Sequence, residues 1–324
     1  MENGSSVGTQ LDELIAAIAA NPAIAAKRSI GLVSEAIGPS GFVQGPGDDG
    51  AAVLIGGATA IVCGEALWPP FVKADPRGAG MAAILANVND LAAMGAVPDA
   101  IVDTIVASES VAREVLDGMR YAAEIYRVPI VGGHLTITQG EPSVSAFALG
   151  HAEKVLSTTN VDAGQDLIVA ACIEGVMRDD FPFFSSFSER GFKLGDDVRL
   201  FARIAASGLA SSAKDISMAG LIGSLAMLLE WGSFGANIDL DVLPTPPGVT
   251  LAQWCNCFPC FGFLLTCDPD TTTSCVDVLL GAGLAAAKVG AINTTGIITV
   301  SVGSDSRTAL DLRSTIVTGL TRSS

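Results

Sequence analysis

Two adjacent carboxylates stand in the stretch Gly45-Pro46-Gly47-Asp48-Asp49-Gly50-Ala51-Ala52-Val53. A Gly-Pro-Gly turn precedes them, and the apolar run Ala51–Ile55, which reads as a strand, follows. Held side by side, Asp48 and Asp49 repel each other, and a divalent cation would relieve that repulsion. Carboxylate oxygens suit Mg²⁺, which is commonly held by one or two protein carboxylates together with substrate phosphates. The competing reading is a solvated turn, because Gly and Asp favour turns for reasons unrelated to metal.

Further along, the same chemistry recurs. Apolar runs 51–55 and 58–63 flank Gly56-Gly57 and read as a β-hairpin. The second run ends at Gly64-Glu65, which brings Glu65 toward the acidic pair or else leaves it as an exposed strand end. Asp75-Pro76 is a helix start, with Asp as N-cap and Pro at the first helical position; Gly95 is a natural stop. Met81, Ile84, Leu85, Val88 and Leu91 form the apolar stripe of that helix. Asn87 and Asp90, three apart, share one of its faces. They either satisfy each other and a neighbouring backbone or face a cation; spacing does not decide between these. Residues 129–131 lead as a strand into Gly132-Gly133-His134-Leu135-Thr136, where the double glycine permits a tight bend or close approach to a ligand. Cys255, Cys257 and Cys260 have a spacing that could hold zinc or an iron–sulfur cluster. Their neighbours Trp254, Phe258, Phe261 and Phe263 favour core packing instead.

The elements that must position these residues are legible in outline. A chain of 324 residues is long for a single core, so two domains are expected, here 1–156 and 157–324, joined at the polar stretch 157–165. In the first domain, helices over 11–20 and 23–37 precede a break at Gly38-Pro39-Ser40-Gly41; the pattern ββαβαββ follows and indicates an α+β domain. The second reads as α/β, with a strand from 166, helices over 196–207, 221–230 and 275–287, and a hairpin of 289–293 with 297–301. Residues 177–193 carry Arg178, Asp179, Asp180 and several Phe, a composition that suits a packed lid or interface. A net charge of −16 disfavours nucleic acid as a partner, since phosphate backbones need Lys and Arg. No apolar run reaches about 18 residues, so no membrane span is expected. Residues 1–10 lack the basic and apolar regions of a secretory signal, so reduced cysteines and a cytoplasmic location are expected.

Taken together, these stretches resemble the AIR synthase-related superfamily, which includes aminoimidazole ribonucleotide synthase, thiamine-monophosphate kinase, selenophosphate synthetase and a hydrogenase-maturation dehydratase. Residues 47–53 are similar to its GDDAAV loop, and 87–98 to its second signature, a helix ending in NDLAAMGA-x-P. Gly132-Gly133-His134-Leu135-Thr136 resembles its GGDT-type turn, Gly164-Gln165-Asp166-Leu167 the start of its second domain, and 214–221 its DISDGGL segment. The resemblance implies a two-domain AIR synthase-like α+β/α/β fold, the N-terminal domains of two subunits forming a dimeric β-barrel. It implies ATP and Mg²⁺ as cofactors and phosphoryl transfer to, or phosphate activation of, a small metabolite. Asp48, Asp49, Glu65 and Asp90 would hold metal; Asp48, Asp90 and His134 would act in catalysis; Gly47, Asp49, Asn87, Gly132, Gly133 and Asp215 would bind the nucleotide. The sequence departs from the family pattern at Glu65, where many relatives have Asp, at Pro70-Phe71 in place of His-Phe, and at Met218-Ala219 in place of Asp-Gly. The last segment faces substrate in relatives, so substrate identity is not carried over. The alternatives are a thiamine-monophosphate kinase-like enzyme and a nucleotide-binding homologue without turnover.

Overall fold

The computed structural model describes residues 7–37, 45 and 47–320. The break at Gly38-Pro39-Ser40-Gly41 and residue Pro46 lie outside the described residues. The chain divides into two compact units, one of Met1–Asp48, Leu156–Glu189 and Ser207–Ser324, the other of Asp49–Val155 and Arg190–Ala206. The cut between Asp48 and Asp49 separates the paired carboxylates.

The chain opens in the first unit. Helix α1 (Val7–Ala20) buries Leu11, Leu14 and Ile18, which share one helical face. Residues 23–37 are not one helix. They form α2 (Pro22–Ala26), a 3₁₀ turn (Lys27–Ile30) and α3 (Gly31–Ile37). Ser29 Oγ donates to Ala26 O at 2.8 Å, and such local side-chain bonds compete with the regular helical ladder.

The second unit holds Asp49, Glu65 and Asp90. Strands β1 (Ala51–Ile55) and β2 (Ala58–Ala66) form the expected hairpin across Gly56-Gly57. Helix α4 (Pro69–Ala74) leads to α5 (Pro76–Ala93), where Asp75 Oδ1 accepts from Gly78 N at 2.8 Å, as an N-cap does. Then come β3 (Val97–Ala107), α6 (Glu109–Tyr126), β4 (Ile130–Ile137) and β5 (Ser143–Ala152). The sheet runs β1-β2-β5-β3-β4, antiparallel except where β3 and β4, joined through α6, lie parallel. It is an open sheet; among the described residues no sheet closes into a barrel. Helices α5 and α6 cross almost backbone to backbone. A Cβ on Gly80 would stand 2.0 Å from Val115 O, and one on Gly118 2.0 Å from Arg77 O. That contact seats α5, and with it Asn87 and Asp90, on the sheet. Residues 132–136, expected as a turn, are part of β4, because β4 pairs with β3 from Gly132 to Ile137. The buried face of the sheet carries Ile61, Ile101, Ile105, Val144 and Ala146; the other face leaves Val53, Val62, Val102, Phe147 and Leu149 exposed.

After β6 (Asp166–Ala171), short strands β7 (Val176–Met177) and β8 (Phe183–Ser185) occupy part of the segment read as a lid. They pair within the first unit, and Phe184 is buried edge-on against Trp254 at 5.3 Å. Helices α7 (Phe187–Arg190) and α8 (Lys193–Ala206) follow; α8 packs on α5, α6 and β3. A buried Arg190–Asp197 pair, Nε to Oδ2 2.7 Å, ties the start of α8 down. The rest returns to the first unit: β9 (Ser212–Asp215), α9 (Gly220–Glu230), β10 (Gly235–Asp239), α10 (Leu251–Cys255), β11 (Phe258–Pro259), β12 (Gly262–Cys267), α11 (Thr272–Gly281), β13 (Ala285–Asn293), β14 (Ile297–Val302) and β15 (Asp305–Asp311). Its main sheet runs β15-β14-β10-β13-β6-β12-β9, and β8 joins β7 and β11 in a small second sheet.

Two expectations fail here. The helix expected over 275–287 stops at Gly281, and Ala285–Ala287 pair with Val169–Ala171 of β6 instead. Alanine favours helices, but burial in a sheet overrides so small a preference. The strands around 289–293 and 297–301 are not a hairpin. β10 lies between them, antiparallel to β13 and parallel to β14, and β14 turns back onto β15. Cys255, Cys257 and Cys260 are buried, and burial pushes each thiol up to about 12. Among the described residues they do not converge as a metal-ligand set. No helix of the described residues is long and apolar enough to cross a membrane.

Candidate functional site

The paired aspartates turn in different directions. Gly47 adopts a left-handed φ of +93°, which few other residues accept, and the chain then presents Asp48 to the first unit. Asp48 Oδ2 accepts from Ser157 Oγ at 2.7 Å and Oδ1 from Thr158 N at 2.6 Å. Ser157 Oγ in turn accepts from Gly45 N at 3.2 Å. Thr158 opens the 3₁₀ turn Thr158–Asn160, so Asp48 satisfies a backbone donor that a helical turn leaves without an internal partner. Lys214 Nζ donates to Gly47 O at 3.3 Å. Two consecutive residues are thus clamped by Ser157, Thr158 and Lys214.

Asp49 faces Asp90 within the second unit. Each offers a carboxylate oxygen within 4.8 Å of the other. Asp90 is 6% exposed and sits in the last turn of α5, which contains no basic residue. The helix dipole is negative there, so burial, dipole and a like charge all act against an ionised Asp90. A bound cation reverses the last two effects.

Alternation along β2 puts Cys63 and Glu65 on the face covered by α5. The Cys63 thiol is held well above its ordinary range, first by burial and then by the charges of Asp90, Glu65 and Asp49. The charges of all three carboxylates thus act on one thiol. Cys63 Sγ donates to Asn87 O at 3.4 Å, and Asn87 Nδ2 donates to Ala83 O at 2.8 Å and to Ala146 O at 3.2 Å. Asn87 thus bonds protein backbone, tying α5 to β5 beside the acidic cluster.

Asp215 ends β9 in the first unit and is 4% exposed. Gly132 and His134 alternate onto the exposed face of β4, opposite α5; His134 Nε2 is 3.2 Å from Thr136 Oγ1. Gly133 falls on the α5 side beside its cross-strand neighbour Asp103. Five residues were not singled out from the sequence: Cys63, Asp103, Ser157, Thr158 and Lys214. Ser157 and Thr158 lie in a polar stretch whose composition suits a linker, and Lys214 gives no signal beyond its place before Asp215.

Asp103 is 7% exposed, and burial alone raises its carboxyl above the usual range. A raised folded-state pKa contributes stability that is complete below the unfolded value and lost as pH rises through the folded one. Asp103→Asn is therefore expected to melt above wild type at pH 7. Melts repeated at lower pH should show the difference shrinking toward pH ~4 and vanishing below it.

Residues 47–152 match the family model described as AIR synthase related protein, N-terminal domain, and residues 187–303 match its C-terminal domain. The chain belongs to the AIR synthase-related family. An uncharacterised protein of Synechocystis is 32% identical over 278 residues, 85% of this chain and 86% of that protein. A thiamine-monophosphate kinase of Rhodopirellula baltica is 30% identical over 169 residues, 51% of this chain and 50% of that one. Among solved structures, Thermotoga maritima PurL complexed with ADP superposes with a TM-score of 0.73 at 18% identity, covering 84% of this chain and 46% of that chain. The present chain spans about half the length of that PurL chain, and the likeness concerns the fold.

Proposed function

We propose that this chain is an ATP- and Mg²⁺-dependent enzyme that transfers a phosphoryl group to a small metabolite or activates the metabolite as a phosphate. One observation carries the reading: Asp49 and Asp90, on separate elements, bring their carboxylate oxygens within 4.8 Å of each other, where one cation can meet both. The donor set fits Mg²⁺, since Asp49, Asp90 and Glu65 offer hard oxygens. When bound, Mg²⁺ would supply positive charge against that of the phosphates. The chain's own work is positioning. Asp49, Asp90 and Glu65 would hold the metal, and Asp48 sets the loop that presents Asp49. Asn87 fixes α5 beside them. Gly132, Gly133, His134 and Asp215 serve the phosphate or acceptor side, a reading that rests on the motifs they occupy. Calorimetry with ATP, with and without Mg²⁺, tests this; equal binding in both conditions, or none in either, would overturn it.

A thiamine-monophosphate kinase-like activity is the second reading, supported by the 30% identity over half the chain. Met218-Ala219 in place of Asp-Gly speaks against it. Release of ADP that depends on thiamine monophosphate would establish it. Nucleotide binding with no ADP release for any acceptor would favour a homologue without turnover.

The enzyme is further proposed to work in the cytoplasm as a homodimer built on the five-stranded sheet. Val53, Val62, Val102, Leu149 and Phe147, 39–46% exposed, line one face of it. A contiguous apolar face of this kind calls for a partner, and closing two such sheets on each other gives the family's barrel. Phe147→Asp places a charge at its centre. Light scattering should then report a monomer where wild type is a dimer; a wild-type monomer at micromolar concentration would refute the assembly.

A further inference from the structure

A cavity of about 300 Å³ opens in the first unit where the β7–β8 turn meets the end of α10. That volume suits a small metabolite. Met177, Phe181 and Pro182 give it apolar walls. The turn is held on both sides. Arg178 N donates to Phe183 O at 2.9 Å, and Phe258 N donates to Pro182 O at 2.8 Å, which ties the turn to β11. On the α10 side, Asn256 has both ends of its amide engaged. Its Nδ2 donates to Ala252 O at 2.9 Å, and its Oδ1 accepts from Asn21 Nδ2 at 3.2 Å. The walls are thus fixed by the chain's own bonds, which lowers the ordering cost of binding.

The charges that line the cavity do not balance. Arg178 Nε and Nη2 donate to the two Asp180 oxygens at 2.9 and 2.7 Å, and this holds the Asp180 carboxyl below its usual range. Such a fork spends the two charges on each other. Asp179, between them in the chain, is exposed and has no hydrogen bond or ion pair among the described residues. Its carboxylate is the surplus charge of the cavity. Gln253 adds a donor. Its Oε1 accepts from Thr250 N at 3.1 Å and from Thr250 Oγ1 at 3.0 Å, in the capping box of α10, so Nε2 is left for a ligand. An anion entering here would have to break the Arg178–Asp180 fork and face Asp179. We propose that the cavity binds a small organic cation, an ammonium on an apolar body. Asp179 is its counter-charge, Met177, Phe181 and Pro182 pack on its body, and Gln253 Nε2 donates to an oxygen of the ligand. This site stands apart from the ATP- and Mg²⁺-dependent function, which rests on Asp49 and Asp90.

Three probes of one shape test this on the full chain, without nucleotide and at about 0.15 M salt, where long-range attraction is screened. Para-methoxybenzylamine carries the ammonium, para-methoxybenzyl alcohol is its neutral counterpart, and para-methoxybenzoate is the anion. The methyl resonance of Met177 reports occupancy of the cavity, and titration of that shift gives the affinity. Wild type is expected to bind the amine about fivefold or more tightly than the alcohol, and the benzoate more weakly than either. Asp179→Asn, at an exposed position, should bring the amine down to the affinity of the alcohol and leave the alcohol unchanged. Asp270→Asn removes a charge from another exposed position of the same unit and controls for the general pull of a chain of net charge −16. It is expected to leave all three affinities as they are. No shift of the Met177 methyl with the amine, equal affinity for amine and alcohol, a preference that survives Asp179→Asn, or a loss in Asp270→Asn as large as in Asp179→Asn would each overturn the proposal. None of these outcomes bears on Mg²⁺–ATP binding, so the two readings fail separately.

Discussion

Asp90→Asn is expected to leave the ligand-free protein at least as stable as wild type and to remove most of the thermal shift produced by Mg²⁺–ATP. In the ligand-free chain the Asp90 carboxylate is buried in the last turn of α5 and lies within 4.8 Å of an Asp49 oxygen. Each of these features disfavours its charge, and a neutral amide relieves them, a gain of about 1 kcal/mol. With metal present the balance inverts, because the cation loses a charged ligand. Affinity for Mg²⁺–ATP should fall about a hundredfold or more, beyond what disturbing an outer contact costs. Asp49→Asn should behave the same way. If Asp90 were a structural cap, its loss would instead lower the ligand-free stability by about 1 kcal/mol and spare the ligand shift. Thermal melts in chelator and in Mg²⁺–ATP separate the cases, and a destabilised variant with a full ligand shift would remove Asp90 from the metal site.

Such a test could be designed from the sequence because the features that place Asp90 are local. Asp75-Pro76 opens α5 and Gly95 follows its end, so the face shared by Asn87 and Asp90 follows from helical spacing. Gly56-Gly57 likewise sets the hairpin that aligns Cys63 and Glu65. What escaped the reading depends on partners far along the chain. β10 enters between β13 and β14 from more than fifty residues upstream, and no pattern in 289–301 announces it. Ala285–Ala287 become strand because β6 offers them a buried edge. In the site, the roles of Asp48 and Asp49 could not be told apart from the dipeptide. They diverge because Ser157 and Thr158 lie against Asp48, with a sequence separation of 110 for the Thr158 bond. Nor could spacing show that His134 and Asp90 belong to opposite faces of one sheet; the β3–β4 register decides that.

The divergence within the dipeptide leads to the sharpest contrast between neighbouring substitutions. Asp48→Ala is expected to lower ligand-free stability by about 2–3 kcal/mol, whereas Asp49→Ala should not lower it. Asp48 accepts from Ser157 Oγ and Thr158 N, on residues that are 0% and 3% exposed. Without the carboxylate those donors stay buried with their bonds broken, and hydrogen bonds to a charged acceptor contribute more than neutral ones. Asp48→Asn keeps an oxygen for Thr158 N and should lose less. The attribution can be isolated with Ser157→Ala. If Asp48 acts through Ser157, the double variant should be more stable than the two single losses added together. Urea unfolding in chelator measures all four proteins, with nucleotide affinity as the second axis. For Asp48→Ala, nucleotide binding should weaken because the loop presenting Asp49 is no longer held, and it should recover in part in Asp48→Asn. For Asp49→Ala it should vanish at undiminished stability. Equal ligand-free stability of the two alanine variants would mean that Asp48 is not an anchor, and both carboxylates would then have to be counted as ligands of the same ion.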